Sequence, residues 1–283
     1  MPNWGEARAA ATTRLRSAPD PDTAALDADV LLAFVLGVGK EALFAHPERD
    51  LSAADSDRYQ ELIERRGQGE PVAYLRGFKE FYGLRFGVDP RVLIPRPETE
   101  VLVDAARKRI AGRALTVVDV GTGSGAIAVA IAAHEHEVRV IGTDSSRDAL
   151  AVARANALSN GVADRVEFRH GDLLAPITER VDIVCANLPY LPDASVERWV
   201  GERSSLAFEP RVAVVAGLEG LSVIERCVAG LPRVMSPGGA AFFECDPPQV
   251  AAITAMLERI GLRPRTERDL SGADRMVAAY APT

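Results

Sequence analysis

The sequence predicts an α/β protein: a doubly wound, mostly parallel sheet preceded by a helical region. Three observations predict it. From residue 115 onward, short β-branched runs alternate with helical stripes. A glycine-rich turn separates the first of these runs from the helix after it. Before residue 75 or so there is helical periodicity and no strand pattern. Such alternation builds βαβ units, which assemble into an open sheet with helices on both faces.

The elements follow in order. Residues 22–36 place Leu26, Val30, Leu31, Phe34 and Val35 on one helical stripe, which Gly37 and Gly39 end. Residues 52–66 predict a second helix, with Ser52 as N-cap and Asp55 in its first turn. Residues 71–97 differ in texture. Phe78, Phe81, Tyr82, Leu84, Phe86 and Val88 lie among glycines, and Leu84-Arg85-Phe86-Gly87-Val88 alternates, which predicts a hairpin. Pro95 and Pro97 break the chain before a helix over 98–109. Strands are then expected at 115–120, 138–144, 166–170 and 181–186, with helices from Ser124 and Ser146 between them. Further helices are expected at 219–231 and 248–260, and further strands at 240–244 and near Arg263 and Met276.

Bulk properties limit the function. The chain has 283 residues, 47% hydrophobic and 26% charged, enough for one large globular domain or two smaller ones. No apolar run approaches the roughly 20 residues that span a bilayer. The first twenty or so residues lack the apolar segment of a signal peptide, so a cytoplasmic protein is expected. Cys185, Cys227 and Cys245 are scattered, which points to a reducing compartment and away from a disulfide frame or zinc site. His46, His134, His136 and His170 show no ligand spacing, so no metal is expected. The net charge of −7 argues against stable nucleic-acid binding, which normally draws on basic excess.

Two motifs carry chemistry. Val117-Val118-Asp119-Val120-Gly121-Thr122-Gly123-Ser124-Gly125 is a strand running into a glycine turn and a helix. Glycines permit close backbone approach, and a helix N-terminus offers unpaired N–H groups. The alternate glycines, with Asp119 before them, favour S-adenosylmethionine over a dinucleotide. An acid there suits a methionine amino group and repels pyrophosphate. Asp144, at the end of the next strand, can accept both ribose hydroxyls. It can equally cap the helix starting near Ser146. Asp172, with Leu173 beside it, is placed to meet an adenine, or is a plain turn aspartate.

The second motif is Asn187-Leu188-Pro189-Tyr190, directly after the apolar strand Val181-Asp182-Ile183-Val184-Cys185-Ala186. Ligands of an open α/β sheet bind outside the carboxyl ends of its strands. The motif therefore delivers an amide, a proline and an aromatic ring to that place, where they can hold a planar amide or amino-heterocycle. Asn187 Oδ1 and the Leu188 carbonyl are the candidate acceptors, with Pro189 holding Leu188 extended and Tyr190 stacking. A simple turn at a strand exit uses the same residue types. The longer segment after it, residues 196–208, is a candidate lid.

With these motifs stand others: Glu70-Pro71-Val72-Ala73-Tyr74-Leu75-Arg76-Gly77, Glu80-Phe81-Tyr82-Gly83-Leu84, Val92-Leu93-Ile94-Pro95-Arg96-Pro97-Glu98-Thr99-Glu100, Phe208-Glu209-Pro210-Arg211 and Gly220-Leu221. Together they resemble the protein-(glutamine-N5) methyltransferases of the HemK/PrmC type, over nearly the whole chain. The resemblance implies a Rossmann-like, seven-stranded SAM-dependent methyltransferase domain at 98–283. A helical substrate-binding domain at 1–75 and a β-hairpin linker at 76–97 would precede it. It implies methyl transfer from S-adenosylmethionine to the glutamine of the Gly-Gly-Gln loop of bacterial release factors, by a monomer. By position, it implies cofactor contacts at Gly121, Thr122, Gly123, Ser124, Gly125, Asp144, Asp172, Leu173 and Asn187, and a substrate grip at Asn187 to Tyr190. Arg96, Pro97 and Glu98 would close the site from the linker side. The chain departs from the family at Leu188, where the family has proline, and near Asp246, where it has glycine. Asn-Leu-Pro-Tyr is also similar to the motif of rRNA adenine-N6 dimethyltransferases. An adenine-N6 methyltransferase on rRNA or DNA is therefore the alternative, with a non-catalytic SAM-binding protein of the same fold as a second.

Overall fold

The computed structural model describes residues 1–18, 21–195, 205–268 and 272–282. The chain forms two units. The first holds Met1–Gly77 and, among later described residues, Ser205–Phe208; the second holds Phe78–Ser195 and Glu209–Thr283, the hairpin included.

In the first unit, α1 (Trp4–Leu15), α2 (Ala24–Leu36) and α4 (Ala53–Gly67) surround a core of Leu15, Leu31, Leu32, Leu43, Leu51 and Ile63. Two short helices, α3 (Lys40–Ala45) and α5 (Val72–Arg76), complete it. Ser52 caps α4 as its sequence suggests, accepting the Asp55 N–H at 3.1 Å. Helix α1 opens on a capping box, Asn3 with Glu6. Acids inside the bundle are paired: Asp29 takes Arg8 at 2.7 and 3.0 Å, and Asp27 takes Arg66 at 2.7 Å. Such pairing is what allows charges in an apolar interior.

The second unit begins with the hairpin, β1 (Phe78–Phe81) against β2 (Leu84–Gly87). After α6 (Glu100–Ile110) come β3 (Thr116–Val120), α7 (Ala126–His134), β4 (Arg139–Asp144), α8 (Arg147–Ser159), β5 (Val166–His170) and β6 (Val181–Ala186). Next are α9 (Ser222–Val234), β7 (Met235–Glu244), α10 (Val250–Arg259), β8 (Arg263–Arg268) and β9 (Asp274–Tyr280). Among the described residues, the sheet has seven strands in the order β5-β4-β3-β6-β7-β9-β8. All neighbours run parallel except the pairs that β9 makes with β7 and β8.

Both faces of the sheet are covered, which explains why its central strands read as continuous apolar runs. Val117, Val140, Ile183, Cys185 and Phe242 face one core with α6 and α7. Val118, Val120, Ile141, Val184 and Phe243 face the other with α9 and α10. The strand order reverses between β3 and β6, the switch point at which such sheets open a crevice. Their last residues lie opposite each other, Val120 against Ala186. The glycine turn and the tetrapeptide therefore leave the sheet side by side.

The expected elements are present, with boundaries shifted where local geometry decides. Proline at 97 starts a 3-10 turn, Pro97–Thr99, before α6. Strand β7 begins at Met235, earlier than the sequence pattern marks, because Ser236-Pro237-Gly238-Gly239 breaks that pattern. The candidate lid lies largely outside the described residues; of it, Ser205–Phe208 forms a 3-10 turn.

Buried Asn156 on α8 joins the hairpin to the glycine turn. Its amide accepts the Gly87 N–H at 2.7 Å and donates to the carbonyls of Gly87 and Ser124 at 3.0 and 2.8 Å. Asn156→Ala removes all three bonds, of which that to the Ser124 carbonyl is buried, and is expected to cost about 2–4 kcal/mol in urea unfolding. Asn160→Ala, which loses an exposed bond to the Arg85 carbonyl, is expected to cost about 1 kcal/mol or less.

Candidate active site

The carboxyl ends of β3, β4 and β6 enclose a cavity of about 410 Å³. Gly121, Gly123, Asp144, Asp172, Leu173, Asn187, Leu188 and Pro189 all line it. The two sequence motifs are thus brought together by the register of β3 and β6. Asp119, Thr122, Ser124, Gly125 and Tyr190 do not line the cavity and lie behind or beside it.

The glycine turn is shaped by contacts below it. Gly121 has φ +69°, and a Cβ there would stand 2.9 Å from Leu188 Cδ2. Only glycine suits both the backbone and the space. Thr122 N donates to the Thr143 carbonyl at 2.9 Å, and Gly123 N donates to Asp144 Oδ2, also at 2.9 Å.

Strand alternation turns Asp119 towards the same core as Val117 and so beneath the turn. It is 1% exposed, and its Oδ2 accepts the Thr122 hydroxyl at 2.6 Å and the Ala128 N–H at 3.1 Å. Its Oδ1 has no hydrogen-bond partner. Burial is the main reason that its pKa is pushed up to about 7.

It is Ser146 that caps α8, while Asp144 lies at the mouth of the cavity. Its Oδ1 accepts Ser146 N at 2.8 Å at the head of α8, while its carboxylate also lines the cavity. Ser146 itself caps α8 through Ala149 N at 3.1 Å. A carboxylate has about four acceptor sites, so capacity remains toward the cavity. Burial raises the Asp144 pKa, and the N–H groups of Ser146 and Gly123 hold it back. Asp172 is exposed and forms an ion pair with Arg226. Leu173 holds φ +47°, a conformation that costs a branched residue energy and that recurs at ligand sites.

Three residues of the tetrapeptide, Asn187, Leu188 and Tyr190, are anchored by their contacts. Asn187 Nδ2 donates to Thr99 Oγ1 at 2.9 Å, which leaves its Oδ1 as the free acceptor. Leu188 is 2% exposed and packs in the second core against Gly121. The Tyr190 carbonyl accepts Gln249 Nε2 at 2.8 Å. A Cβ on Gly220, φ +72°, would stand 2.0 Å from that carbonyl, so glycine is required there. The Tyr190 hydroxyl reaches Glu244 Oε1 at 3.5 Å. Burial raises the Tyr190 pKa, with Glu244 adding to it.

From the linker side, Pro90, Arg91, Val92 and Leu93 reach the cavity, while Arg96, Pro97 and Glu98 do not line it. Arg96 is instead paired with buried Glu209, which also accepts Ile94 N at 3.0 Å. Near Asp246 the glycine of the family pattern is not needed. The residue sits at φ −75°, caps the turn Pro247–Gln249 and takes Arg275 at 2.6 Å. Among the described residues, no cluster of three His, Cys, Asp or Glu could hold a metal ion. No helix there is long and apolar enough to cross a membrane.

Comparison with known proteins agrees with this geometry. The PrmC N-terminal domain family matches residues 6–77, and the methyltransferase small domain family matches residues 97–204. A release factor glutamine methyltransferase of Bordetella pertussis is 39% identical over 265 residues, covering 92% of this chain and 96% of its own. One from Xylella fastidiosa strain Temecula1 is 37% identical, covering 100% of this chain and 99% of its own. The chain belongs to the release factor glutamine methyltransferase family. Its fold is also that of more distant methyltransferases. A ribosomal protein L11 methylase from Lactobacillus delbrueckii subsp. bulgaricus has 22% identity and a TM-score of 0.50, covering 68% of this chain and 82% of its own. A methyltransferase from Pyrococcus furiosus has 14% identity and a TM-score of 0.54, covering 81% and 100%.

Residues that support the site and that sequence pattern alone did not single out include Gln249, against the Tyr190 carbonyl, and Glu244, against the Tyr190 hydroxyl. Each acts through a contact distant in sequence. Asp119 has a consequence for stability. Its pKa rises from 3.8 unfolded to about 7 folded, so the folded state favours the protonated form. The resulting stabilisation is complete below the unfolded value and is lost as pH rises through the folded one, on the order of 4 kcal/mol at the limit. Asp119→Asn is expected to shrink the difference in unfolding free energy between about pH 4 and about pH 8. Denaturant titrations at the two pH values measure it. Glu244, also raised to about 7, keeps part of the dependence in the variant.

Proposed function

We propose that Asn187 to Tyr190 hold the side-chain amide of a glutamine in a peptide-chain release factor. The amide is presented there to S-adenosylmethionine bound in the adjoining cavity. The product is the N5-methylated glutamine of the Gly-Gly-Gln loop. The observation that carries this reading is the commitment of Asn187 Nδ2 to Thr99, which leaves Oδ1 to accept. An amide nitrogen is a weak nucleophile because its lone pair is shared with the carbonyl. Accepting bonds from both of its N–H groups favours a more pyramidal, more reactive nitrogen. Asn187 Oδ1 is one acceptor and the Leu188 carbonyl the other, with Pro189 keeping Leu188 extended. The Leu188 carbonyl serves as well as a proline carbonyl in this role, and the buried Leu188 side chain supplies by packing the rigidity that a proline ring would give.

The residues at the cavity fit the cofactor. Asp144 is placed for ribose hydroxyls, Leu173 for an apolar ring, and Gly121 and Gly123 for close backbone approach. The raised pKa of Asp119, buried beneath the turn, would be lowered through space by a cation near the turn, such as a methionine amino group. When bound, S-adenosylmethionine supplies a methyl group already activated on a sulfonium. The chain's own part is then alignment, which alone can lower a barrier by several kcal/mol, up to about 10 in the best-oriented cases.

Release factors are the protein substrates in this reading, and residues 1–75 form the substrate-binding domain, 76–97 the linker and 98–283 the methyltransferase domain. The separate core of the first unit and its separate family match support that division.

Tritiated methyl transfer onto purified release factor tests the reading. Label is expected on the factor and should vanish when the loop glutamine is replaced; label that persists would overturn it. Asn187→Ala is expected to lower kcat by about a hundredfold while changing cofactor affinity by about threefold or less. Equal losses would make Asn187 a cofactor contact only. Leu188→Pro is expected to keep most of its activity on release factor and to lose about 1–2 kcal/mol of unfolding stability through lost packing.

A further inference from the structure

Two segments that line the cavity lie outside the sheet. Residues 90–93 follow the hairpin, and Pro210, Val212 and Ala213 precede α9. The second segment is fixed at its far end to the exit of β6. There Leu191, directly after the tetrapeptide, donates its N–H to the Val214 carbonyl at 3.0 Å and accepts the Ala216 N–H at 2.9 Å. The near end begins at Glu209, whose side chain is 1% exposed. Oε2 of Glu209 accepts the Ile94 N–H at 3.0 Å, and Oε1 takes the Arg96 guanidinium. Ile94 is the residue after the first wall segment, and Glu209 is the residue before the second. One buried carboxylate therefore ties together two loops whose bonded residues are 115 positions apart.

The bond to Ile94 is made to the main chain, so it fixes the backbone of the linker itself. The Arg96 cation offsets the cost of burying the charge. Burial raises the Glu209 pKa, and Arg96 and the Ile94 N–H oppose that rise.

We propose that Glu209 is a positioning residue that clasps the two outer wall segments together and so holds the cofactor cavity ready before S-adenosylmethionine arrives. A loop that is ordered in advance adds no ordering cost when a ligand binds. Release of the clasp moves that cost into the binding step. Cofactor then binds more weakly and leaves faster, since such losses fall mostly on dissociation. The reacting atoms are aligned by other residues, Asn187 to Tyr190, so turnover at saturating cofactor is little changed. Glu209 thus has the opposite kinetic signature to Asn187.

This inference rests on the cavity as the cofactor's site, and the experiment separates the two. Affinity for S-adenosylhomocysteine is measured by calorimetry and its dissociation rate by stopped flow. Protection of the Ile94 amide in the cofactor-free protein is measured by hydrogen exchange. The variants are Glu209→Gln, Arg96→Met, Arg96→Lys and, for the cavity itself, Asp144→Ala. Glutamine offers one acceptor and one donor where two donors converge. Glu209→Gln is expected to weaken binding about tenfold or more, chiefly through faster dissociation, and to let Ile94 exchange faster. Its kcat at saturating cofactor is expected to change by about threefold or less. Arg96→Met is expected to weaken binding about threefold or more, and Arg96→Lys, which keeps the cation, to recover most of that loss. In the Glu209→Gln background Arg96→Met should add little, because both changes open the same clasp. If Asp144→Ala leaves affinity intact, the cavity is not the cofactor's site and that reading fails. If Asp144→Ala weakens binding but folded Glu209→Gln binds as the unaltered protein does, keeps Ile94 protected, or loses kcat and affinity in equal measure, Glu209 does not clasp the cavity. Arg96→Met, at a residue only partly buried, decides the matter in the same way if Glu209→Gln does not fold.

Discussion

The site depends on one alignment: the parallel pairing of β3 with β6 that sets Val120 opposite Ala186. Backbone hydrogen bonds and two covered faces fix this register, because a slip by one residue would turn each apolar side chain onto the wrong core. The glycine turn and the tetrapeptide inherit their relation from it. Leu188 closes the gap between them by packing on Gly121, where no side chain fits. The glycine turn and the tetrapeptide therefore share a wall of the cavity.

The next strand extends the same logic. Pairing of β6 with β7 sets Asn187 and Glu244 next on the two strands, and the turn before α6 brings Thr99 to the Asn187 amide. Buried carboxyls stand under both motifs, Asp119 under the glycine turn and Glu244 under the tetrapeptide, each with its pKa lifted to about 7 by loss of water. Each also keeps one oxygen without a partner. Unsatisfied buried acids are costly to a fold. Their position beneath the two functional turns is consistent with electrostatic preorganisation retained at some expense in stability.

Much of this was legible before any coordinates. The α/β alternation, the Ser52 cap, the hairpin at Phe78–Gly87 and the placement of Gly121, Asp144 and Asn187 at strand ends follow from local pattern, because propensity, capping and period are short-range. Other features were not legible. Gly220 reads as an ordinary loop glycine until the Tyr190 carbonyl is seen against it. Asp246 reads as a departure from a glycine position until its backbone is seen to be extended and capping a turn. Glu244 reads as the polar end of an apolar strand, and nothing nearby in sequence reveals the Tyr190 hydroxyl it faces.

By itself, then, the sequence determined the order of elements, the family and the residue types delivered to the strand ends. These are set by periodicity and by motifs only a few residues long. Tertiary structure alone decided how those residues are aimed: that Asn187 offers its oxygen, that Leu188 braces Gly121, and that Asp119 lies beneath the turn and not in the cavity. The reason is that aim depends on hydrogen-bond direction and packing between segments far apart in the chain, Thr99 with Asn187 and Tyr190 with Gln249. Only the folded sheet brings those segments into contact.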